Sequence, residues 1–183
     1  MRVSKEQAAQ NRDRILEAAS LLMRERGISG MGVDALADAA GMTHGSIYSQ
    51  FGSKERLVEE AVAHAIAAKG REVPDGLALG DYVSEYLSAG HRDKPGSGCP
   101  FAALVCEMPR QGAGVRERFT AGVRGMIGLL GGRMASTLKL RQREEKALAM
   151  AASLVGALVL ARAVNDPKLS DDILRATRNK LAD

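Results

Sequence analysis

From Val33 onward, apolar positions recur at helical spacing, with Val33, Leu36, Ala37 and Ala40 forming one stripe. Gly41 follows the last of them, where glycine takes up a left-handed backbone without strain and ends a helix. Thr43 can then cap a second helix through its hydroxyl. That helix is predicted from His44 to about Gln50, with Ile47 and Phe51 inward and His44, Ser46, Ser49 and Gln50 outward. Ser53 can cap the next one, predicted from Glu55 to about Ala68. The run from Val33 to Lys54 thus reads as two short helices around a tight turn and the start of a third.

Strand signals are almost absent, no internal repeat is visible, and the helical pattern continues to the end. Glu72-Val73-Pro74-Asp75-Gly76 breaks it, a helix follows from about Leu79 to Gly90, and His91 to Gly98 reads as a polar loop. Further helices are predicted over Pro100–Glu107, Val115–Lys139, Arg143–Val164 and Ser170–Leu181, with Asn165-Asp166-Pro167 as the last turn and Ser170 as the final cap. The predicted fold class is all-α, with an N-terminal three-helix unit over residues 1–54 and a larger helical unit over 55–183.

A helix-turn-helix has one well-attested use, which is to push its second helix into the major groove of DNA. Between Ala39 and Ser53 there is no Asp or Glu, although acids are frequent on both sides. A surface meant for phosphate avoids negative charge in this way. Gly45 lets the backbone approach a partner closely. Lys54 lies in the first turn of a helix, where a cation does not help the helix itself, so a phosphate is its natural partner.

These residues resemble the TetR family of bacterial transcriptional regulators. The resemblance begins in the amphipathic first helix, Arg12-Asp13-Arg14-Ile15-Leu16-Glu17-Ala18-Ala19, and passes through Arg26-Gly27 and Val33 to Met42. It ends with Ser46-Ile47-Tyr48-Ser49-Gln50-Phe51-Gly52-Ser53-Lys54-Glu55-Arg56-Leu57, whose Tyr-x-x-Phe-Gly-Ser-Lys-Glu run is its most specific part. The resemblance covers about the first third of the chain. It implies that Thr43, His44 and Ser46 approach base edges or phosphates, that Tyr48 gives its hydroxyl to a phosphate, and that Lys54 holds a phosphate. With Gly45 and Ser49 on the same face, these make the DNA-binding set. Gly32 completes it and departs from the family, which usually has Thr or Ser there, so only backbone N–H groups remain for that contact. Tyr48 packing on the first helix and His44 as a solvated residue are the plain alternatives.

Net charge is +4 over 183 residues, with Lys+Arg 8 against Asp+Glu 7 up to Leu57 and 18 against 15 beyond it. The positive excess is therefore not concentrated in the DNA-binding part. Aromatic residues make up 3%, too few for a surface that stacks single-stranded bases. The start, MRVSKEQAAQNRDR, lacks an apolar core and reads as a basic arm from which Arg2 and Lys5 could reach the DNA backbone. The longest uncharged run, Ala147 to Ala161, falls short of the roughly 18 to 20 residues that span a bilayer. A cytoplasmic protein with no membrane contact is expected. No nucleotide loop, nucleophile elbow or pair of carboxylates points to an enzyme, and no cofactor is expected.

Leu148, Ala151, Ala152, Val155, Leu158, Val159 and Arg162 form an apolar face broader than one neighbouring helix needs. Either this helix is the centre of its own unit or, as the resemblance implies, the last two helices pair with their twins in a homodimeric four-helix bundle. In that dimer Leu148, Ala152, Val155, Leu158, Val159 and Arg162 are the candidate contacts. Two recognition helices would then lie about one DNA turn apart on a palindromic operator.

Between the two units of function, Tyr86, Cys99, Phe101, Leu104, Val105, Met108, Phe119 and Met126 are candidates to line an apolar pocket for a small-molecule effector; methionine suits varied ligands. Gly122, Gly125, Gly128, Gly131 and Gly132 fall in one predicted helix. Each weakens it by up to ~1 kcal/mol, which fits close packing or a deformable element. Two thiols and scattered histidines (His44, His64, His91) show no zinc spacing, so no metal is expected. Cys99, at a predicted helix start near Arg92 and Lys94, is expected to be the reactive thiol, a possible oxidant or electrophile sensor. Cys106 is expected to be buried and inert, about 10 Å away along the helix and too far for a disulfide. The functional expectation is a ligand-responsive repressor; the alternative is an architectural DNA binder without effector.

Overall fold

The computed structural model describes residues 4–182, and the expectation for Arg2 lies outside them. Every regular element among the described residues is helical. Helix α1 runs Lys5–Gly30, capped by the Ser4 hydroxyl accepting from Gln7 N at 3.1 Å, and bends at Gly27. Its buried face, Ile15, Leu16, Ala19, Leu22 and Met23, packs on α4 (Lys54–Glu72), whose Leu57, Val58, Ala61, Val62 and Ala65 recur at helical spacing. Helices α2 (Val33–Ala40) and α3 (His44–Phe51) close the N-terminal unit through Leu36, Ala40, Ile47 and Phe51, each at most 3% exposed.

The second unit contains α5 (Leu79–Tyr86), α6 (Ala89–Asp93), α7 (Pro100–Leu104), α8 (Ala113–Gly132), α9 (Leu140–Ala163) and α10 (Pro167–Ala182). Helix α8 packs between α4 and α9, and α10 packs on α9 and α5. Several predicted boundaries move: the helix expected over Leu79–Gly90 ends at Tyr86, the one expected to end near Ala68 runs to Glu72, and the one expected from Arg143 starts at Leu140. Helix α7 ends at Leu104, because Pro109 follows and the Met108–Arg110 turn is a 3-10 segment. Helix α8 stops at Gly132 and not near Lys139, as its terminal Gly131-Gly132 pair disfavours continuation. Helix α10 starts at Pro167, with the Asp166 carboxylate accepting from Leu169 N at 3.1 Å. A proline at the first helical position suits that start. Ser170 is therefore not the cap; buried in the helix, its hydroxyl donates to Ala161 O at 2.6 Å.

The segment His91–Gly98 is not a free polar loop. It is built from α6 and a 3-10 turn over Pro95–Ser97, and Gly96 and Gly98 are buried. A buried and a half-buried guanidinium hold its carbonyls. Arg24 of α1 donates to Gly98 O at 3.2 Å, and Arg162 of α9 donates to Arg92 O at 3.0 Å and His91 O at 2.7 Å. Burial lowers the pKa of both arginines from the usual value, yet neither titrates in the physiological range. Arg162 thus turns into its own chain and off the expected dimer face. Arg162→Ala leaves two carbonyls without their donor and is expected to cost about 2 kcal/mol, read as a lower urea midpoint, with the oligomeric state of the folded fraction unchanged.

Helix α9 is long and apolar enough, by length and composition, to cross a bilayer. One face, Ala147, Met150, Ala151, Leu154, Ala157, Leu158 and Ala161, is buried against neighbouring helices. Leu158 is fully buried and belongs to this internal face, a second departure from the expected dimer set. The opposite face carries Leu148 (49% exposed), Ala152 and Leu160 (57%), with Val155, Gly156 and Val159 half-buried. Helix α10 adds Leu169, 46% exposed.

Candidate nucleic-acid interface and helical cavity

The turn between α2 and α3 is built as its residues dictate. Gly41 adopts φ 62° and ends α2, and Thr43 caps α3 by accepting from Ser46 N at 3.2 Å. Ile47 and Phe51 hold α3 to the core. The Arg12 guanidinium of α1 lies over the Phe51 ring at 4.2 Å and bonds Gln50 O and Glu60. Arg14 donates to Ala40 O at 2.9 Å. Two arginines of α1 thus fix the ends of α2 and α3, a role for which the sequence carries only the arginines themselves.

Thr43, His44, Gly45, Tyr48 and Ser49 are exposed, and Ser46 is half-exposed. Tyr48 is 45% exposed. It shares a shallow crevice with Val33, Ser53 and Lys54, which brings together the starts of α2 and α4. Ser53 caps α4 by accepting from Arg56 N at 3.2 Å. Gly32 takes the cap position of α2 with no side-chain bond, and the space its Cβ would fill is empty. The polar side chains of α3 have local partners: the Thr43 and Ser46 hydroxyls are bonded at 2.9 Å, Ser49 donates to Ser46 O at 2.9 Å, and His44 Nε2 lies 2.6 Å from the Asp34 carboxylate. Asp34, on α2, brings a carboxylate to this face although the window around α3 holds none. Lys5 lies in the first turn of α1 and is exposed.

A cavity of about 830 Å³ lies among α4, α5, α6, α7 and α8, within the usual size of small-molecule sites. Of the expected residues, Tyr86, Cys99, Phe101 and Met126 line it. Leu104, Val105, Met108 and Phe119 do not. Leu104 and Met108 point into the core at 0% and 5% exposure, Val105 packs against that core, and Phe119 stacks edge-on with Phe101 at 5.3 Å. Sequence reasoning missed Tyr82, His91, Leu129 and Ile66 on the wall, and Lys69, Glu72 and Lys94 among its charged lining. A Cβ at Gly122 would come within 2.7 Å of Ile66, so this glycine lets α8 press on α4. Gly125 lies on the wall of the cavity itself.

The burial of the two cysteines is the reverse of the expected one. Cys99 is buried and Cys106 is exposed. Burial pushes the Cys99 thiol pKa up, outweighing the Tyr86 hydroxyl and the backbone N–H groups of Ala102 and Phe101, which favour the thiolate. A raised pKa makes the thiol less reactive. The Tyr86 hydroxyl is buried with no oxygen or nitrogen partner among the described residues and has the Cys99 sulfur beside it.

His91 sits at the same end, its Nδ1 2.7 Å from Tyr86 O and its Nε2 2.8 Å from Cys99 N. A backbone carbonyl only accepts and an N–H only donates, so the imidazole is neutral, with its proton on Nδ1. Burial lowers its pKa from the usual 6.5; Arg162 and Lys69 act in the same direction, against the Tyr86 carbonyl and Glu85. An unfolded chain takes up this proton near pH 6.5 while the folded one does not. The stability His91 contributes is therefore full above that pH and lost as pH falls below it. Urea midpoints of the wild type should decline on acidification from about pH 6.5, and the decline should be smaller for His91→Gln.

The family described as bacterial regulatory proteins, tetR family, matches residues 15–61. An uncharacterized HTH-type transcriptional regulator of Mycobacterium tuberculosis (strain H37Rv) is 31% identical over 93% of this chain and 93% of its own. The HTH-type transcriptional repressor KstR2 of Mycolicibacterium smegmatis is 41% identical over a shorter reach, 31% of this chain and 27% of its own. The reduced form of NemR from E. coli shares the fold, with a TM-score of 0.75 at 22% identity over 94% of this chain and 95% of its own.

Proposed function

The chain belongs to the TetR family of bacterial transcriptional regulators, and from that premise we propose that it is a homodimeric, cytoplasmic one-component repressor released from a palindromic operator by a small apolar ligand. The cavity carries this reading. Its wall on α8 packs against α4, the helix that begins with Lys54 beside Tyr48. We place the boundary of the DNA-binding unit at residue 54, so that α4 belongs to the sensing unit and transmits its state. A ligand that spreads α4 from α8 changes the separation of the two α3 helices, and its differential affinity for the two separations is what releases DNA.

Thr43, His44, Gly45, Ser46 and Ser49 are assigned to the bases and nearby phosphates, Gly32, Tyr48 and Lys54 to phosphates. His44 must leave Asp34, or hold it in place, to reach a base. The exposed stripe of α9 with Leu169 of α10 is assigned to the dimer. Repression is favoured over activation by the repressor name of the KstR2 relatives. The lining favours a ligand with an apolar body, and the buried, less acidic Cys99 favours reversible binding over thiol chemistry.

The test is fluorescence anisotropy with a duplex that the protein itself selects from a random pool, against scrambled DNA. Tight selective binding, weakened by members of a panel of apolar ring compounds and untouched by a mild thiol oxidant, is the expected result. Equal binding to both duplexes would overturn the operator reading and favour an architectural DNA binder; loss of binding with oxidant alone would return sensing to a thiol.

A further inference from the structure

Helix α1 bends where Gly27 takes φ 76°, ψ 167°, a conformation open essentially to glycine alone. Past the bend, Ile28 to Gly30 form one more helical turn, whose first N–H groups have lost their partners in the preceding turn. Both are satisfied from far along the chain. The Glu107 carboxylate accepts from Ile28 N at 3.1 Å through each oxygen and from Ser29 N at 3.3 Å. A Cβ at position 27 would lie 2.6 Å from Glu107 Oε1, so the missing side chain makes room for this contact. Ile28 and Met31, on either side of the turn, are 5% and 2% exposed in the core, and Gly32 starts α2 directly after them.

Glu107 is joined to the cavity wall through its own segment of chain. It follows α7, whose Pro100 and Phe101 are wall residues, and precedes Met108, which is buried, and the turn that packs on α8. We propose that Glu107 is a positioning residue for DNA recognition: by fixing the bend at Gly27 it sets the angle at which α2 and α3 leave α1. It thereby couples the α7 wall to the DNA-binding unit by a route separate from α4. This rests on the DNA-binding reading of α3.

The experiment uses the full chain, Glu107→Ala and Glu107→Gln, and a duplex selected by the wild type. Amide exchange at Ile28 and Ser29 should be about tenfold or more faster in Glu107→Ala and intermediate in Glu107→Gln, which keeps one acceptor oxygen. Affinity for the duplex should fall about tenfold with an unchanged salt slope, because no phosphate contact is removed. A duplex with one base pair inserted between its half-sites should be penalised less by the variants than by the wild type, a loss of spacing discrimination that mere destabilisation does not produce. Unchanged exchange, or unchanged spacing discrimination in a variant that binds, would overturn the proposal. Should Glu107→Ala fail to fold, Glu107→Gln decides on the same readouts. A wild type that selects no duplex would overturn the DNA-binding reading instead, while the exchange data still judge the bond to Ile28 and Ser29.

Discussion

Ala152→Glu should leave a folded monomer that binds a palindromic duplex at least ~100-fold more weakly, since joining two half-site contacts into one molecule raises affinity by roughly 10² to 10⁴. From Ala147 to Ala161, helix α9 is uncharged on both sides. One side is filled by its own chain, and the other presents Leu148, Ala152, Val155 and Val159 with no charged residue among them. A helix apolar all round is normally buried all round, and a second copy of the same stripe is the occupant the family reading supplies. Ala152 is exposed in the single chain, so a glutamate there meets water in the monomer and disturbs no internal packing. In the dimer it meets apolar surface, or its own twin across the two-fold axis, and an unpaired buried carboxylate is strongly disfavoured. Sedimentation velocity, circular dichroism and anisotropy on one preparation test this. A dimer that persists with full affinity would remove α9 from the interface.

The contrast with Arg162 and Leu158 shows how far the sequence reaches. Both share the helical phase of the stripe, and phase alone put them on the dimer face. Arg162 is turned inward by carbonyls about 70 residues away at His91 and Arg92, and Leu158 is buried by the neighbouring helices, neither of which local periodicity encodes. The helix-turn-helix was legible for the opposite reason. Gly41, Thr43 and Ser53 act within three residues of themselves, and each does in the structure what its chemistry predicts. The cavity stands between these cases. Tyr86, Cys99, Phe101 and Met126 were found because apolar residues of this segment face one another, whereas Leu104 and Met108 look the same in sequence and fill the core. His91 was unreadable as a wall residue, since its neutral state depends on Tyr86 O and Cys99 N closing around it. Cys99 departs from its expected reactivity because a helix start suggests thiolate stabilisation while burial, which is a tertiary property, outweighs it.

Lys54→Ala combined with Tyr48→Phe should weaken operator binding about a thousandfold in ~0.15 M salt, and the two substitutions should separate by salt dependence. Each dimer carries two copies of Lys54. Removing two cationic phosphate contacts should flatten the slope of log K against log salt by about 1.8, which amounts to some thirtyfold in affinity at that salt. The Tyr48 hydroxyl is neutral and displaces no counterion. Its loss should cost about 1 kcal/mol per hydrogen bond, or about thirtyfold for two, at every salt concentration. Both side chains border one crevice at the starts of α2 and α4, and Tyr48→Phe keeps the ring that fills it, so folding should be little affected. Neither residue reads bases in this assignment, and the loss should be the same for the selected duplex and for scrambled DNA. A Lys54→Ala protein with an unchanged slope would detach α4 from the DNA backbone. A loss confined to the selected duplex would move Tyr48 from the phosphates to the bases, and with it the register in which α3 enters the groove.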